Sequence, residues 1–373
     1  MGHVLRQTWA EVDLGALKDN LETAANLVPP PTGILAVVKA NAYGIGAIEA
    51  AKAALSNPRV VGLAVATPLE ALELREAGIT TPILLLGPST LEAALELGAR
   101  GVTLTVASPE DIRVVQAAAA RLRTRVVVHL KIDTGMGRIG LNPDNSLNQA
   151  LRLLRDLGDV FVEGVFTHLS SADTDRRSTT LQIERFTRVK ATIESSGIRP
   201  RYYHAANSAA TYLFPQSHMD LVRPGIMLYG SYPAKGLEST GTLRPVLSLY
   251  SRVSHVKRVG AGTPIGYNQT YAPKTETTIA TLPIGYADGY PRLLSNCGSA
   301  LIRGQRFPIA GRVCMDQVML DVGDLPVEQG ELVTLIGTDG HETITADEIA
   351  EKSLTIPHEV LTGISPRVPR IYR

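Results

Sequence analysis

Hydrophobic positions in the first two thirds of the chain follow two alternating patterns. Short apolar runs rich in Val and Ile fall at 34–38, 60–65, 82–86, 102–106, 126–132, 160–166, 202–205 and 221–229. Between them, 47–55, 68–77, 90–97, 109–121 and 181–195 carry apolar residues at helical spacing. The first kind reads as buried strands, the second as amphipathic helices. Eight strands separated by helices predict an α/β fold, a closed (β/α)8 barrel of TIM type over residues 14–240. An open doubly wound sheet would carry a G-x-G-x-x-G fingerprint at its first turn, and the chain has none there.

After residue 243 the helical period fades. Residues 246–259 alternate in the β manner, and 277–282, 300–303, 307–313, 318–322 and 332–336 follow with turn residues between them. These predict a mostly-β C-terminal domain. The opening stretch Thr8–Asp13 alternates too, so this domain is expected to comprise 1–13 and 241–373 and to bracket the barrel. Residues 233–242, rich in Gly, Ser and Thr, read as the linker.

Composition narrows the class of function. The 373 residues are 44% hydrophobic and 20% charged with a net charge of +1. That is ordinary for a globular protein and offers no electrostatic footprint for nucleic acid or an acidic membrane. No window is apolar enough to span a bilayer, and the start lacks the apolar core of a signal peptide, so a cytoplasmic enzyme is expected. Cys297 and Cys314 lie far apart in no metal-ligand spacing; they read as semi-buried thiols in a reducing compartment, with no metal site.

The working face of such a barrel is the C-terminal end of its strands. Residues expected there are Lys39, Lys131 with Arg138, His168, His204 with Asn207 and Ser208, and Arg223 with Gly225 and Ile226. Lys39 ends the run 34–38 and opens a glycine-containing turn where a strand passes into a helix. Burial on one side tunes its amine toward the neutral, nucleophilic form that bonds to a carbonyl as a Schiff base. An arbitrary lysine there is more often a surface residue. The last two groups follow strands seven and eight, where barrels commonly hold a phosphate. Asn207-Ser208 alone reads first as a helix N-cap, and Arg223 alone as a salt-bridged arginine. Together, a Schiff-base lysine and a phosphate cradle across one mouth suggest pyridoxal 5′-phosphate. Arg223, always charged, would donate to the ring nitrogen and discourage its protonation.

Several segments taken in order closely resemble the alanine racemase family. They are Ala36-Val37-Val38-Lys39-Ala40-Asn41-Ala42-Tyr43-Gly44, Leu130-Lys131-Ile132-Asp133-Thr134-Gly135-Met136-Gly137-Arg138 and His204-Ala205-Ala206-Asn207-Ser208. Val222-Arg223-Pro224-Gly225-Ile226, Gly266-Tyr267-Asn268-Gln269-Thr270-Tyr271, Pro283–Gly289, Cys314-Met315-Asp316-Gln317 and Arg367-Val368-Pro369-Arg370 follow, so the resemblance runs the length of the chain.

The resemblance implies a pyridoxal-phosphate enzyme that interconverts L- and D-alanine in a homodimer with shared active sites and supplies D-alanine for peptidoglycan. Lys39 would be the Schiff-base lysine and the base on one face of the substrate carbon. Tyr267 of the partner subunit would be the acid/base on the other. His168 and Arg223 would form a hydrogen-bonded chain toward that tyrosine. Tyr43, Asn207, Ser208, Gly225, Ile226 and Tyr372 would surround the cofactor, mainly its phosphate. Arg138 and the backbone of Met315 would bind the substrate carboxylate, with Tyr286 near the mouth. Lys131 stands where the family often carries a carbamate that steadies the arginine. Two bases of different type on opposite faces are the simple way to invert a stereocentre. A free tyrosine is a weak base at neutral pH and needs such neighbours.

One departure stands out. Where the family usually has tyrosine, in Ser-Tyr-Arg-Val-Pro-Arg, this chain has Pro366. That predicts a looser pocket and keeps a broad-specificity alanine/serine racemase as the alternative. A decarboxylase of the same architecture would place an acid, not Arg223, at the ring nitrogen. A non-enzymatic pyridoxal-phosphate carrier built from a lone barrel would lack Tyr267.

Overall fold

The computed structural model describes residues 5–155 and 157–373. Residues 1–4 of the expected β domain therefore lie outside the described part. The chain divides into two compact units. One holds the N-terminal stretch through Ala16, Tyr43–Gly46 and Arg244–Arg373; the other holds Leu17–Ala42 and Ala47–Leu243.

The second unit is an eight-stranded parallel barrel. Its strands follow the order Ile83–Leu85, Val60–Val65, Gly33–Val37, Leu221–Val222, Tyr202–His204, Val160–Phe166, Val126–Lys131, Leu104–Val106. A parallel bridge between Leu84 and Thr103 joins the two ends. Strands covered on both faces are mostly apolar, which is why they read as runs and not as alternations. Several helices begin where a polar side chain takes up a free N–H group. Thr67 accepts from Glu70 ahead of Pro68–Glu76, and Ser108 accepts from Asp111 ahead of Pro109–Leu122; both helices carry proline in the first turn. The helix expected from 181 starts earlier, as Arg176–Ser195, because Asp175 caps it.

The eighth run needs correction. Only Leu221–Val222 is strand, and Ile226–Tyr229 is a 3-10 turn. Pro224 has no N–H to continue the ladder, although its carbonyl still accepts from Val37.

The other unit has two sheets. The larger runs Gln305–Pro308, Ser299–Ile302, Leu332–Asp339, Leu247–Arg252, Thr8–Val12, Arg370–Tyr372, with Glu342–Ile344 added on Leu332–Asp339; the smaller is His255–Val259, Thr277–Leu282, Val318–Gly323. The stretch 246–259, read as continuous, is two strands in different sheets. The break falls where Val253 N–H turns to the Glu331 carbonyl and Ser254 N–H to that of Thr281. Two helices, Ala346–Lys352 and Pro357–Gly363, were not foreseen in this β-rich half. Cys297 is exposed rather than semi-buried.

Candidate active site

The turn after the first barrel strand is not the simple entry to a helix. Ala40, Asn41, Ala42 and Tyr43 all adopt left-handed backbone, with φ of 52° to 56°. L-residues pay for that conformation, so surrounding contacts must hold it. Ala40 N–H donates to Glu70 Oε1 at 2.7 Å, and Ala47 N–H to Asn41 Oδ1 at 2.8 Å. The Glu70 carboxylate also receives Ala66 N–H and Thr67 N–H at 2.8 and 3.1 Å. One side chain thus ties the lysine turn to the start of the helix Pro68–Glu76.

Lys39 sits half-buried on this turn, and its amine has no hydrogen-bond or ion-pair partner among the described residues. Burial, then the Arg138 charge, lower its pKa, with Glu70 opposing them. His168 is pushed down to about 3 by burial and by the charges of Arg223, Arg138, Lys131 and Lys39. An imidazole in that setting is neutral at any working pH. Lys131 is lowered to about 8, first by burial and then by Arg223. Its Nζ donates to the Ile132 carbonyl at 2.9 Å. Lys39, Lys131, Arg138, His168 and Arg223 therefore form one electrostatic cluster at the strand ends.

Arg138 is exposed and has no partner among the described residues. The loop that carries it is rigid because Asp133 Oδ1 accepts from the N–H groups of Gly135, Met136 and Gly137 at 3.0, 2.9 and 3.1 Å. Burial pushes the Asp133 carboxyl up, but those three N–H groups outweigh it and hold it below its ordinary value. Gly140, at φ +134°, cannot carry a side chain, because a Cβ would come within 2.6 Å of Asp133 N.

Across the mouth, Asn207 caps the helix Ser208–Leu213 through Ala210 N–H and donates to the Leu169 carbonyl at 3.3 Å. Its side chain is thus engaged in capping. Ser208 Oγ accepts from Gly225 N–H at 2.8 Å, which joins Ser208 to the Gly225-Ile226 turn and leaves its own hydroxyl hydrogen to donate. Arg223 is buried. Nη2 donates to the carbonyls of Thr167 and Ala205 at 2.7 and 3.1 Å, and Nη1 faces His204.

In the β-rich unit, Tyr267 stands 68% exposed at the tip of a loop. An antiparallel bridge of Ile265 with Tyr271 closes the loop, and both legs pack on Ile279 and Ala310. Tyr271 Oη donates to Asp321 Oδ2 at 2.5 Å, which anchors one leg. Tyr286 and Met315, 42% and 52% exposed, are joined through neighbours: Tyr286 N–H donates to the Cys314 carbonyl and Ala287 N–H to that of Met315, each at 3.0 Å. Tyr372 Oη donates to the Ile45 carbonyl at 3.1 Å, and Tyr43 packs on the His358 ring.

Models of the alanine racemase N-terminal domain and of the alanine racemase C-terminal domain match residues 12–233 and 246–372. The chain belongs to the alanine racemase family. An alanine racemase of Methanococcus maripaludis is 44% identical over 98% of both chains. The crystal structure of an alanine racemase from D-cycloserine-producing Streptomyces lavendulae superposes with a TM-score of 0.94 at 36% identity, covering 100% of this chain and 98% of that one. An alanine racemase from Bartonella henselae, with covalently bound pyridoxal phosphate, has a TM-score of 0.88 at 31% identity, covering 98% and 99%. The family is one of isomerases, and the barrel with a strand-rich second part is its architecture.

Sequence reading missed Glu70 and the pair His129 and Glu163. Glu70 lies in a helix start, where the structure shows it closing a capping box with Thr67. His129 lay within an apolar strand run, where its partners are set by strand neighbours and not by sequence spacing.

Proposed function

We propose that the protein racemises alanine with pyridoxal 5′-phosphate, using Lys39 and Tyr267 of the partner subunit as the two bases. One observation carries this reading: a half-buried lysine amine without a partner among the described residues, lowered in pKa by burial and Arg138, within one cluster with His168 and Arg223. The residues present fit the cofactor. Lys39 offers the amine. Ser208 Oγ–H and the Ile226 N–H offer donors for its phosphate, Gly225 braces Ser208, and the resemblance adds Asn207, Tyr43 and Tyr372 as further contacts. Arg223 has Nε without a partner among the described residues. When bound, the cofactor withdraws electrons from the substrate carbon and makes its proton removable.

The chain's own residues do the rest. Arg138, with no carboxylate partner among the described residues, binds the substrate carboxylate together with the Met315 backbone, and Tyr286 borders the mouth. Lys39 Nζ takes or returns a proton on one face. Tyr267 Oη of the partner subunit does so on the other, which its exposed position on a braced loop supports. His168 stays neutral and hands on a hydrogen bond without adding charge. Arg223 donates to the ring and is never itself a proton source. In a homodimer each subunit lends its tyrosine to the other. The product D-alanine serves peptidoglycan synthesis in the cytoplasm. Among the described residues no helix is long and apolar enough to cross a membrane.

The test is an absorption spectrum of the purified protein with and without borohydride, alongside conversion of L-alanine to D-alanine. A visible band that borohydride abolishes and that Lys39→Ala lacks, with racemisation, is expected. A colourless protein that takes up no pyridoxal phosphate would contradict the reading.

A further inference from the structure

A column of buried polar side chains runs away from Arg223 through the barrel. His204 Nδ1 lies 2.9 Å from Arg223 Nη1, and His204 Nε2 lies 2.9 Å from His129 Nδ1. His129 Nε2 in turn lies 3.5 Å from Glu163 Oε2, and the Glu163 side chain is 23% exposed. The two histidines are 0% and 3% exposed. Phe166 lies flat on the His204 ring, centroids 5.0 Å apart at 6°. Strand Val160–Phe166 makes room for the column by omitting a side chain: a Cβ on Gly164 would come within 2.5 to 2.6 Å of three atoms of the His129 ring.

The hydrogen positions follow from the chemistry of the ends. Burial holds both imidazoles neutral. A guanidinium only donates, so His204 Nδ1 accepts and the ring's one hydrogen is on Nε2. That hydrogen goes to His129 Nδ1, which leaves the His129 hydrogen on Nε2, facing the Glu163 carboxylate. Every donor points from the arginine toward the carboxylate. The reverse direction would require the guanidinium to accept. A buried charge needs a counter-charge or it is costly to keep. Among the described residues Arg223 pairs with no carboxylate, and the column ends in one.

We propose that Glu163 is the counter-charge of Arg223, delivered through His129 and His204, and that it fixes the orientation of the guanidinium for racemisation. Glu163 is then a positioning residue, since it touches neither substrate nor reacting atoms. The inference rests on the functional reading above for what Arg223 does, but the relay itself can be read without it.

The first experiment is nitrogen NMR of the full-length protein labelled with 15N-histidine, the two rings assigned by their loss in His129→Asn and His204→Asn. Both rings are expected neutral, with hydrogen on Nε2 and a bare Nδ1. Hydrogen on Nδ1 of either ring, or a charged ring, overturns the relay. The second is a double-mutant cycle on kcat. Glu163→Gln keeps an acceptor but removes the charge; it is expected to lower kcat about tenfold in the native background and less than about twofold beside Arg223→Met. An equal factor in both backgrounds makes Glu163 a support of the fold only and overturns the proposal. Should Glu163→Gln fail to fold, the ring tautomers of the native protein still decide. A protein inert toward alanine defeats the function proposed above and leaves the tautomer result standing.

Discussion

The Ala40 N–H and the Glu70 carboxylate meet at 2.7 Å, and this contact holds the first residue of the left-handed turn that follows Lys39. Glu70→Ala removes the acceptor of three backbone N–H groups at once. It should cost roughly 1–2 kcal/mol of stability, the range of a lost cap or charged hydrogen bond. It also removes a negative charge that favours the Lys39 ammonium, so the amine pKa falls further. Cofactor uptake should therefore begin at lower pH while the melting temperature drops. An unchanged melting temperature would show that the turn is held by other contacts.

Arg138 has the opposite sign. Its positive charge disfavours the Lys39 ammonium and helps to lower that pKa. In Arg138→Leu the amine pKa rises toward its ordinary value. Capture of pyridoxal phosphate by the apoprotein needs the neutral amine, so its pH profile should shift to higher pH, and KM for alanine should rise as the carboxylate loses its partner. A profile that does not move would remove Arg138 from the neighbourhood of Lys39.

Lys131 is buried with Arg223 and Arg138 nearby, and its pKa of about 8 leaves a minor fraction of the amine neutral near physiological pH, far more than an ordinary lysine has. A neutral amine adds to carbon dioxide and releases a proton, giving an anionic carbamate. That change turns repulsion from Arg223 and Arg138 into attraction. With 13C-bicarbonate, the full-length protein should show one carbamate resonance that grows as pH rises through about 8, the direction set by the free amine. Lys131→Gln should lack it. A resonance that survives that substitution would place the carbamate elsewhere.

Pro366 is exposed between Ser365, whose N–H donates to the Asp288 carbonyl at 3.0 Å, and Arg367, which pairs with Asp316 at 2.6 Å. Anchored on both sides, the position presents a ring with no hydroxyl where the family usually has tyrosine. Racemisation of serine beside alanine is expected. Pro366→Tyr should lower the serine-to-alanine ratio of kcat/KM roughly tenfold, the scale at which a pocket discriminates a small group. A ratio that stays put or rises would refute the looser pocket.

The strands of the barrel were legible because burial on both faces leaves apolar runs, as at Gly33–Val37 and Val60–Val65. The ends of elements were less so. Leu221–Tyr229 stayed apolar past its strand because the 3-10 turn is buried as well. In the β-rich part, periodicity at 246–259 could not tell one sheet from another, since alternation is the same in both. Site residues announced by type, such as Lys39 and Arg138, could be named from the sequence. Glu70 and Glu163 could not, because each acts through backbone or histidine partners brought near only by the fold.

In the proposed dimer each active site takes Lys39 from one subunit and Tyr267 from the other. Subunit complementation tests it most directly. Lys39→Ala and Tyr267→Ala proteins are each unfolded, mixed in equal amounts and refolded together. Half of the dimers are then hybrids, and each hybrid regains one site with both native residues. Racemase activity should return to about a quarter of the native value, from two nearly inactive parents. Mixtures no more active than their parents, when the hybrids have formed, would mean that both residues serve the same chain, and the shared site would be wrong.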